Sequence, residues 1–321
     1  MPQTILVTGA AGFIGSHLTH RLLAGGARVV GVDNFDGFYG RALKEANLAA
    51  LPPGDFRLEE ADIRDAEAVE TLFTRHRPTL LVHLAALAGV RPSIAEPRRY
   101  AAVNVDGLVN LLESARRVEC RHIVFASSSS VYGNAARVPF AENDRADEPI
   151  SPYAATKRAG ELVCHAYRSL YGLSISALRF FTVYGPAQRP DLAINLFMRR
   201  IAAGEPIAMF GDGTTARDYT YIDDIVDGVL AAIERTRAET DWFRIYNLGG
   251  AHPTPLAEMI DAIARVVGRD AIVERQPMQP GDVNQTYADL TRSHAELGFE
   301  PKVAFEDGLR RQWTWMQTAG R

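Results

Sequence analysis

Three glycines at three-residue spacing, Gly9, Gly12 and Gly15 in TGAAGFIGSHL, constrain this chain more than any other feature. They follow an apolar run, Thr4 to Thr8, and open an amphipathic stretch from Ile14 to Ala24. A strand turning tightly into a helix leaves bare backbone amides at the helix N-terminus, where no Cβ holds off an anionic pyrophosphate. The pattern predicts a dinucleotide site. Asp33 closes a second hydrophobic run, Val29 to Val32, where a carboxylate accepts bonds from the adenine-ribose hydroxyls and repels a 2′-phosphate. The nearest arginine downstream is Arg41, so NAD is expected rather than NADP.

The first part of the chain alternates buried-strand runs (4–8, 29–32, 56–59, 80–84, 122–126) with helical stretches (14–24, 66–75, 105–117). This is the rhythm of βαβ units. A later helix is bracketed by Ser151 as cap, Pro152 in the first turn and Gly172 past its end. After Gly185 the glycines and prolines crowd together, marking a smaller, loop-rich lobe. The expected fold is α/β: a Rossmann-type doubly wound parallel sheet with a smaller α/β substrate-binding lobe. Residues 1–180, with a returning segment of roughly 214–248, would form the NAD-binding Rossmann domain, and the remainder of 181–321 the other lobe.

Tyr153 and Lys157 stand four apart on the Ser151–Gly172 helix, hence on one face. A neighbouring ammonium and a positive nicotinamide both favour phenolate, which makes a base of a weak acid. The chain has 11 tyrosines and three lysines, Lys44, Lys157 and Lys302, so about 0.1 Tyr-x-x-x-Lys strings are expected by chance. One occurs, and it occurs on a helix. Nearly all the other cations are arginine, whereas a compact ammonium fits between a ribose and a phenol. The serines 127 to 130 follow the strand 122–126 at the carboxyl end, where doubly wound sheets bind ligands.

Composition excludes several classes. With 35 basic against 39 acidic side chains and a net charge of -4, nothing draws the chain to polyphosphate, so neither a nucleic acid nor a membrane is an expected partner. No apolar run reaches the ~20 residues of a membrane span, and MPQTILVTGA has no basic leader region. Cys120 and Cys164 show neither a disulfide framework nor metal spacing, which suits a reducing cytoplasm. His17 and His20 lack a third ligand and are expected to be surface or packing residues; no metal is expected. Asp223 and Asp224 are expected at a helix start.

These residues resemble the extended short-chain dehydrogenase/reductase superfamily. DNFDGFYGRALK (33 to 44), HLAALAGVRPSI (83 to 94), ASSSSVYG (126 to 133), SPYAATKRAGEL (151 to 162), LRFFTVYGPAQRPDLA (178 to 193) and RDYTYIDDI (217 to 225) are most similar to the nucleotide-sugar 4-epimerases that act on UDP-glucuronate. The resemblance implies Ser128, Tyr153 and Lys157 as the catalytic set. It implies that NAD contacts the glycine turn with Phe13 and Ile14, then Asp33 and Asn34, with Asp62 and Ile63 at the adenine. Leu84, Ala85, Ala86, Asn104, Ser127 and Phe180 would complete that site. It places Arg217 and Arg189 at the substrate diphosphate, Gln279 and Asp282 at the uridine, and Ala193 among the remaining substrate contacts. A homodimer joined through the helices 105–117 and 153–171 is also implied.

The departures from related enzymes narrow the chemistry. Nucleotide-sugar dehydratases place an Asp-Glu pair where this chain has Ser129 and Ser130, and the related decarboxylases place a glutamate at Ser130. Neutral-sugar epimerases usually have asparagine at Thr182. Ser129, Ser130 and Thr182 could instead offer hydroxyls to a C6 carboxylate, with Arg91 nearby. The implied activity is an isomerase that inverts C4 of UDP-glucuronate to give UDP-galacturonate through a 4-keto sugar. The alternatives are a UDP-glucose/UDP-galactose 4-epimerase, a net dehydrogenase, and a sensor on an inactive fold.

Overall fold

The computed structural model describes residues 3–135, 137–278 and 281–319. Seven strands form one sheet in the order β10-β6-β5-β4-β1-β2-β3. They are β1 (Thr4–Thr8), β2 (Arg28–Asp33), β3 (Phe56–Glu60), β4 (Leu80–His83), β5 (His122–Ser128), β6 (Ser174–Phe180) and β10 (Phe243–Leu248). Every pairing is parallel. The reason is visible in β1, where all five residues are buried. Ile5 and Val7 enter one apolar core and Leu6 the other, as the two-residue period of a strand covered on both faces requires. One face carries α1 (Phe13–Ala24) and α9 (Ile222–Arg237), tied by an Arg21–Asp227 pair at 2.9 Å. The opposite face carries α3 (Ala66–His76), α6 (Gly107–Arg117) and α7 (Pro152–Tyr171).

Helix boundaries follow local chemistry. Asp65 caps α3 by accepting from the Glu67 and Ala68 amides. Ser151 caps α7 by accepting from Ala154, and Gly172 ends it in the left-handed conformation, φ 65°. The helix expected over 105–117 differs at its start: Ala102–Asp106 form a π turn, and α6 begins at Gly107. That widened turn points Asn104 inward, onto the backbone of Leu87. Asp223 and Asp224 lie in the first turn of α9, and Asp224 also accepts from the Lys302 and Val303 amides. His17 packs as expected, its ring 3.0 Å from the Pro186 carbonyl.

The rest of the chain is less regular. Short helices α2 (Arg41–Ala49), α4 (Val90–Ala95) and α5 (Pro97–Ala101) border the sheet's carboxyl edge. Strands β7 (Thr182–Tyr184), β9 (Ala216–Tyr221) and β11 (Pro253–Pro255) make a three-stranded sheet, and β8 (Ile207–Phe210) pairs with β12 (Val273–Gln276). Helices α8 (Ala193–Ala203), α10 (Leu256–Val267), α11 (Thr291–Leu297) and α12 (Phe305–Ala319) surround them. The core under α1 and α9 continues into this region through Met198, Met259 and Leu309. Among the described residues, no helix is long and apolar enough to cross a membrane, and no cluster of three His, Cys, Asp or Glu could hold a metal.

Candidate active site

β1 pairs with both β2 and β4, so the chain direction of winding reverses there and opens a crevice beyond the strand ends. A long cleft fills that crevice, running from Asp62 and Ile63 past the glycine turn to Tyr153 and Thr182. At the turn, Gly9 has φ 71°, and a Cβ there would stand 2.9 Å from the Ala85 nitrogen. A Cβ on Gly15 would strike the Gly9 carbonyl. These two glycines are therefore required by close backbone approach, and they leave the start of α1 open to the cleft.

Asp33 is 6% exposed. It accepts from the Ala11 amide at 3.2 Å and the Phe35 amide at 2.9 Å. The Lys44 ammonium donates to it at 3.1 Å. Lys44, the buried residue of α2, lines the cleft and was not singled out from the sequence. Its signal was available, because the scarcity of lysine that marked Lys157 applies equally to Lys44. Arg41 is turned away, held by Glu45 and both oxygens of Glu60. Asn34 donates to Asp62 at 3.0 Å. Tyr39 also lines the cleft; burial, with Asp33 beside it, pushes its phenol up to about 12.

Phe13, Ile14, Leu84, Ala85, Ala86, Ser127 and Phe180 all line the cleft. Asn104 is bonded to the loop that follows Ala86. Its side chain accepts from the Leu87 amide and donates to the Leu87 carbonyl and to Thr156 Oγ1. Asn104 thus supports the loop that walls the cleft, because the π turn directs it behind that loop.

At the other end, Ser128, Ser129, Ser130, Tyr153, Lys157, Thr182 and Arg189 come together. Ser128 and Ser130 hydroxyls are 3.1 Å apart. Burial raises the Tyr153 phenol above its ordinary value, against the opposing pull of the Ser128 bond and the Arg189 charge. Burial lowers Lys157 to about 8, with Cys164 and Glu161 opposing. Its ammonium donates to the Ala126 carbonyl at 2.7 Å. The guanidinium of Arg189, 4.8 Å over the Phe38 ring and paired with Asp191, acts on Tyr153 at this end.

Arg91, on α4, has partners from the later part of the chain. It bonds Asp282 at 2.9 Å and lies 4.5 Å over the Phe210 ring. Arg217 feels the charges of both Asp282 and Arg91, so these three residues form one group. Ala193 starts α8, and its neighbour Leu192 is the one lining the cleft. Gln279 lies outside the described residues.

Behind the turn, His83 is 2% exposed and bonds Thr8 Oγ1 at 2.8 Å; burial, with the Lys157 charge second, lowers it to about 3. The unfolded chain, with an imidazole near 6.5, therefore takes up a proton as pH falls that the folded chain refuses. His83 costs no stability above pH 6.5 and about 2 kcal/mol at pH 5. Denaturant titrations at pH 7 and 5 should show this loss shrink in His83→Gln; an equal loss in both proteins would contradict it.

The chain as a whole is matched by sequence and structural relatives. A family model described as the NAD dependent epimerase/dehydratase family matches residues 5–249. UDP-glucuronate 4-epimerase 5 of Arabidopsis thaliana is 43% identical over 326 residues, covering 97% of this chain and 75% of that protein. The crystal structure of a Bacillus cereus UDP-glucuronic acid 4-epimerase with UDP-glucuronic acid and NAD superposes with a TM-score of 0.92 at 34% identity. It covers 99% of this chain and 100% of that one. A Thermotoga maritima UDP-glucose 4-epimerase with UDP-glucose gives 0.91 at 33%, covering 99% and 100%. With a family model matching most of its length and relatives of this identity and coverage, this chain belongs to the NAD dependent epimerase/dehydratase family.

Proposed function

We propose that the protein interconverts UDP-glucuronate and UDP-galacturonate by NAD-dependent inversion at C4. The observation that carries this reading is the distribution of acids. Among the described residues lining the cleft, the carboxylates are Asp33, Asp36 and Asp62, all at the adenine end. The polar side chains lining the reactive end are hydroxyls, a phenol and cations, so it lacks the carboxyl pair that removing water from the sugar would need.

The chain's own groups divide the work. The amides at the start of α1 meet the cofactor diphosphate, and Asp33 with Lys44 meets the adenine ribose. Bound NAD supplies a reversible hydride acceptor at the sugar's C4. Tyr153 takes the proton of the 4-hydroxyl, Ser128 orients that hydroxyl, and Lys157 holds the nicotinamide ribose. The 4-keto sugar then turns its other face, and Tyr153 returns the proton. Arg217, Arg91 and Asp282 form the outer uridine and diphosphate end, which anchors the substrate while the hexose swings.

A 4-keto hexuronate is a β-keto acid and loses CO2 when its C5–C6 bond aligns with the carbonyl π system. Ser129, Ser130 and Thr182 hold the carboxylate so that this bond stays near the carbonyl plane, and Arg189 stands close enough to add its charge. Thr182→Ala is expected to release a UDP-pentose alongside the epimer, read by mass spectrometry. Unchanged products and rate would remove Thr182 from that role.

The decisive experiment is incubation with UDP-glucuronate carrying deuterium at C4. UDP-galacturonate with the label retained, and no net consumption of bound NAD, is the expected result. Label lost to solvent would refute the mechanism, and faster turnover of UDP-glucose would favour the neutral-sugar alternative. We further read the protein as a cytoplasmic homodimer. Both cysteines are free and buried, and α7 leaves Leu162 and Leu170 57% and 70% exposed, an apolar face suited to a second copy's α6 and α7. A monomeric mass in light scattering would refute the dimer.

A further inference from the structure

Behind the reactive residues lies a buried charge pair that the proton and hydride steps do not use. Glu161 is one helical turn beyond Lys157 on α7, and its carboxylate has no exposed side-chain surface. It accepts from Arg179 Nε and Nη2, both at 2.8 Å. It also accepts from Arg158 Nη1 at 3.0 Å and from Ser127 Oγ at 2.6 Å. Arg179 is 1% exposed and lies 4.6 Å over the Tyr132 ring. In the sheet register Arg179 stands opposite Ser127. Burying two charges is costly, and apolar residues of similar volume often serve stability as well or better. The pair therefore calls for a reason beyond stability.

The bonds supply one. Ser127 sits between Ala126, whose carbonyl holds the Lys157 ammonium, and Ser128, the hydroxyl beside Tyr153. We propose that Glu161 and Arg179 are positioning residues for the epimerisation, clamping the ends of β5 and β6 to α7 so that Ala126 and Ser128 are held where Lys157 and Tyr153 need them. Glu161 acts on charge as well as on geometry. Its negative field opposes the burial that strips Lys157 of its proton, and a protonated Lys157 in turn favours phenolate at Tyr153. This inference rests on the 4-epimerase reading of the same site.

Two double variants separate clamp from packing: Glu161→Gln with Arg179→Met, and Glu161→Met with Arg179→Met. Neither leaves a buried Arg179 charge unpaired, and the glutamine keeps an acceptor for Ser127. In the NAD-bound protein, the methionine variant is expected to lose about ten- to a hundredfold in kcat with KM for UDP-glucuronate within about threefold. The glutamine variant should recover about tenfold of that loss. In both, the alkaline limb of the kcat profile should move down by about one pH unit, since Lys157 loses Glu161's support. Equal kcat in the two variants, or wild-type kcat and pH limbs in both, would overturn the inference.

Should either double variant fail to fold, Ser127→Ala keeps every charge matched. It is expected to lower kcat about tenfold, and an unchanged kcat would overturn the clamp. Phenolate absorbance of Tyr153, taken as the difference from Tyr153→Phe, needs no sugar. It should titrate at higher pH in the double variants, and an unmoved titration counts against the inference even if the wild type proves inactive on UDP-glucuronate. Inactivity of the wild type, by contrast, would count only against the substrate assignment.

Discussion

Tyr153→Phe is expected to lower kcat by about a thousandfold, or about 4 kcal/mol in barrier height, while NAD stays bound and substrate affinity changes little. The size of the effect follows from what else could take the proton. No histidine lines the described cleft, and its three carboxylates lie at the far end. Ser128, a neutral hydroxyl, is too weak a base to serve alone, and Lys157, an ammonium that donates to the Ala126 carbonyl, has no lone pair to offer. Removing the phenolic oxygen thus leaves the C4 hydroxyl beside donors with no base among them. Steady-state kinetics with calorimetric binding of the UDP-sugar would check it. A loss below tenfold would mean that another group does the work assigned to Tyr153.

The second large effect concerns the cofactor. Gly15→Ala is expected to abolish measurable NAD retention, a loss of about a hundredfold or more in affinity, and to destabilise the fold by about 1–3 kcal/mol. The new methyl would meet the Gly9 carbonyl and approach the Ala10 Cα at 3.0 Å. Both neighbours are backbone of the same turn, so nothing can swing aside without displacing the amides that face the diphosphate. Gly12→Ala should be milder, since its Cβ would lie 3.1 Å from the Gly9 oxygen and 3.6 Å from the Tyr39 hydroxyl. Gly26→Ala is the control. It has φ 77° and open space around it, so it should cost stability through backbone strain alone and leave NAD in place. Absorbance of NAD released from purified protein, with thermal melts, would rank the three. Retention of NAD by the Gly15 variant would refute the packing argument.

Legibility followed the range of the interaction. β1 and α1 could be read because strand, turn and helix carry their signals within a few residues of one another. The same holds for α7, whose cap, first-turn proline and terminal glycine are all local. The reactive set was legible for a further reason: Tyr153 and Lys157 share one helix face, so their proximity needs no knowledge of the fold. What escaped depends on segments that meet only in three dimensions. Nothing local tells that Arg91 finds Asp282 across 191 residues, or that Glu161 on α7 meets Arg179 on β6. The sequence resemblance leads one to expect Asn104 at the cofactor, but only the widened turn shows that it faces the Leu87 loop. Lys44 is the exception, a residue whose composition signal was present and whose pairing with Asp33 was within reach of the same reasoning.

One feature of the sheet bears on how the chain is made. β6 pairs on one side with β5 and on the other with β10, and β10 ends only at Leu248. A nascent polypeptide emerging from the ribosome therefore carries β6 as a bare edge, hungry for a partner, through the synthesis of everything from Phe181 to Trp242. Fragments cut within that interval would inherit the same vulnerability to aggregation, so a piece ending at Phe180 is expected to be less soluble than one that runs through Leu248.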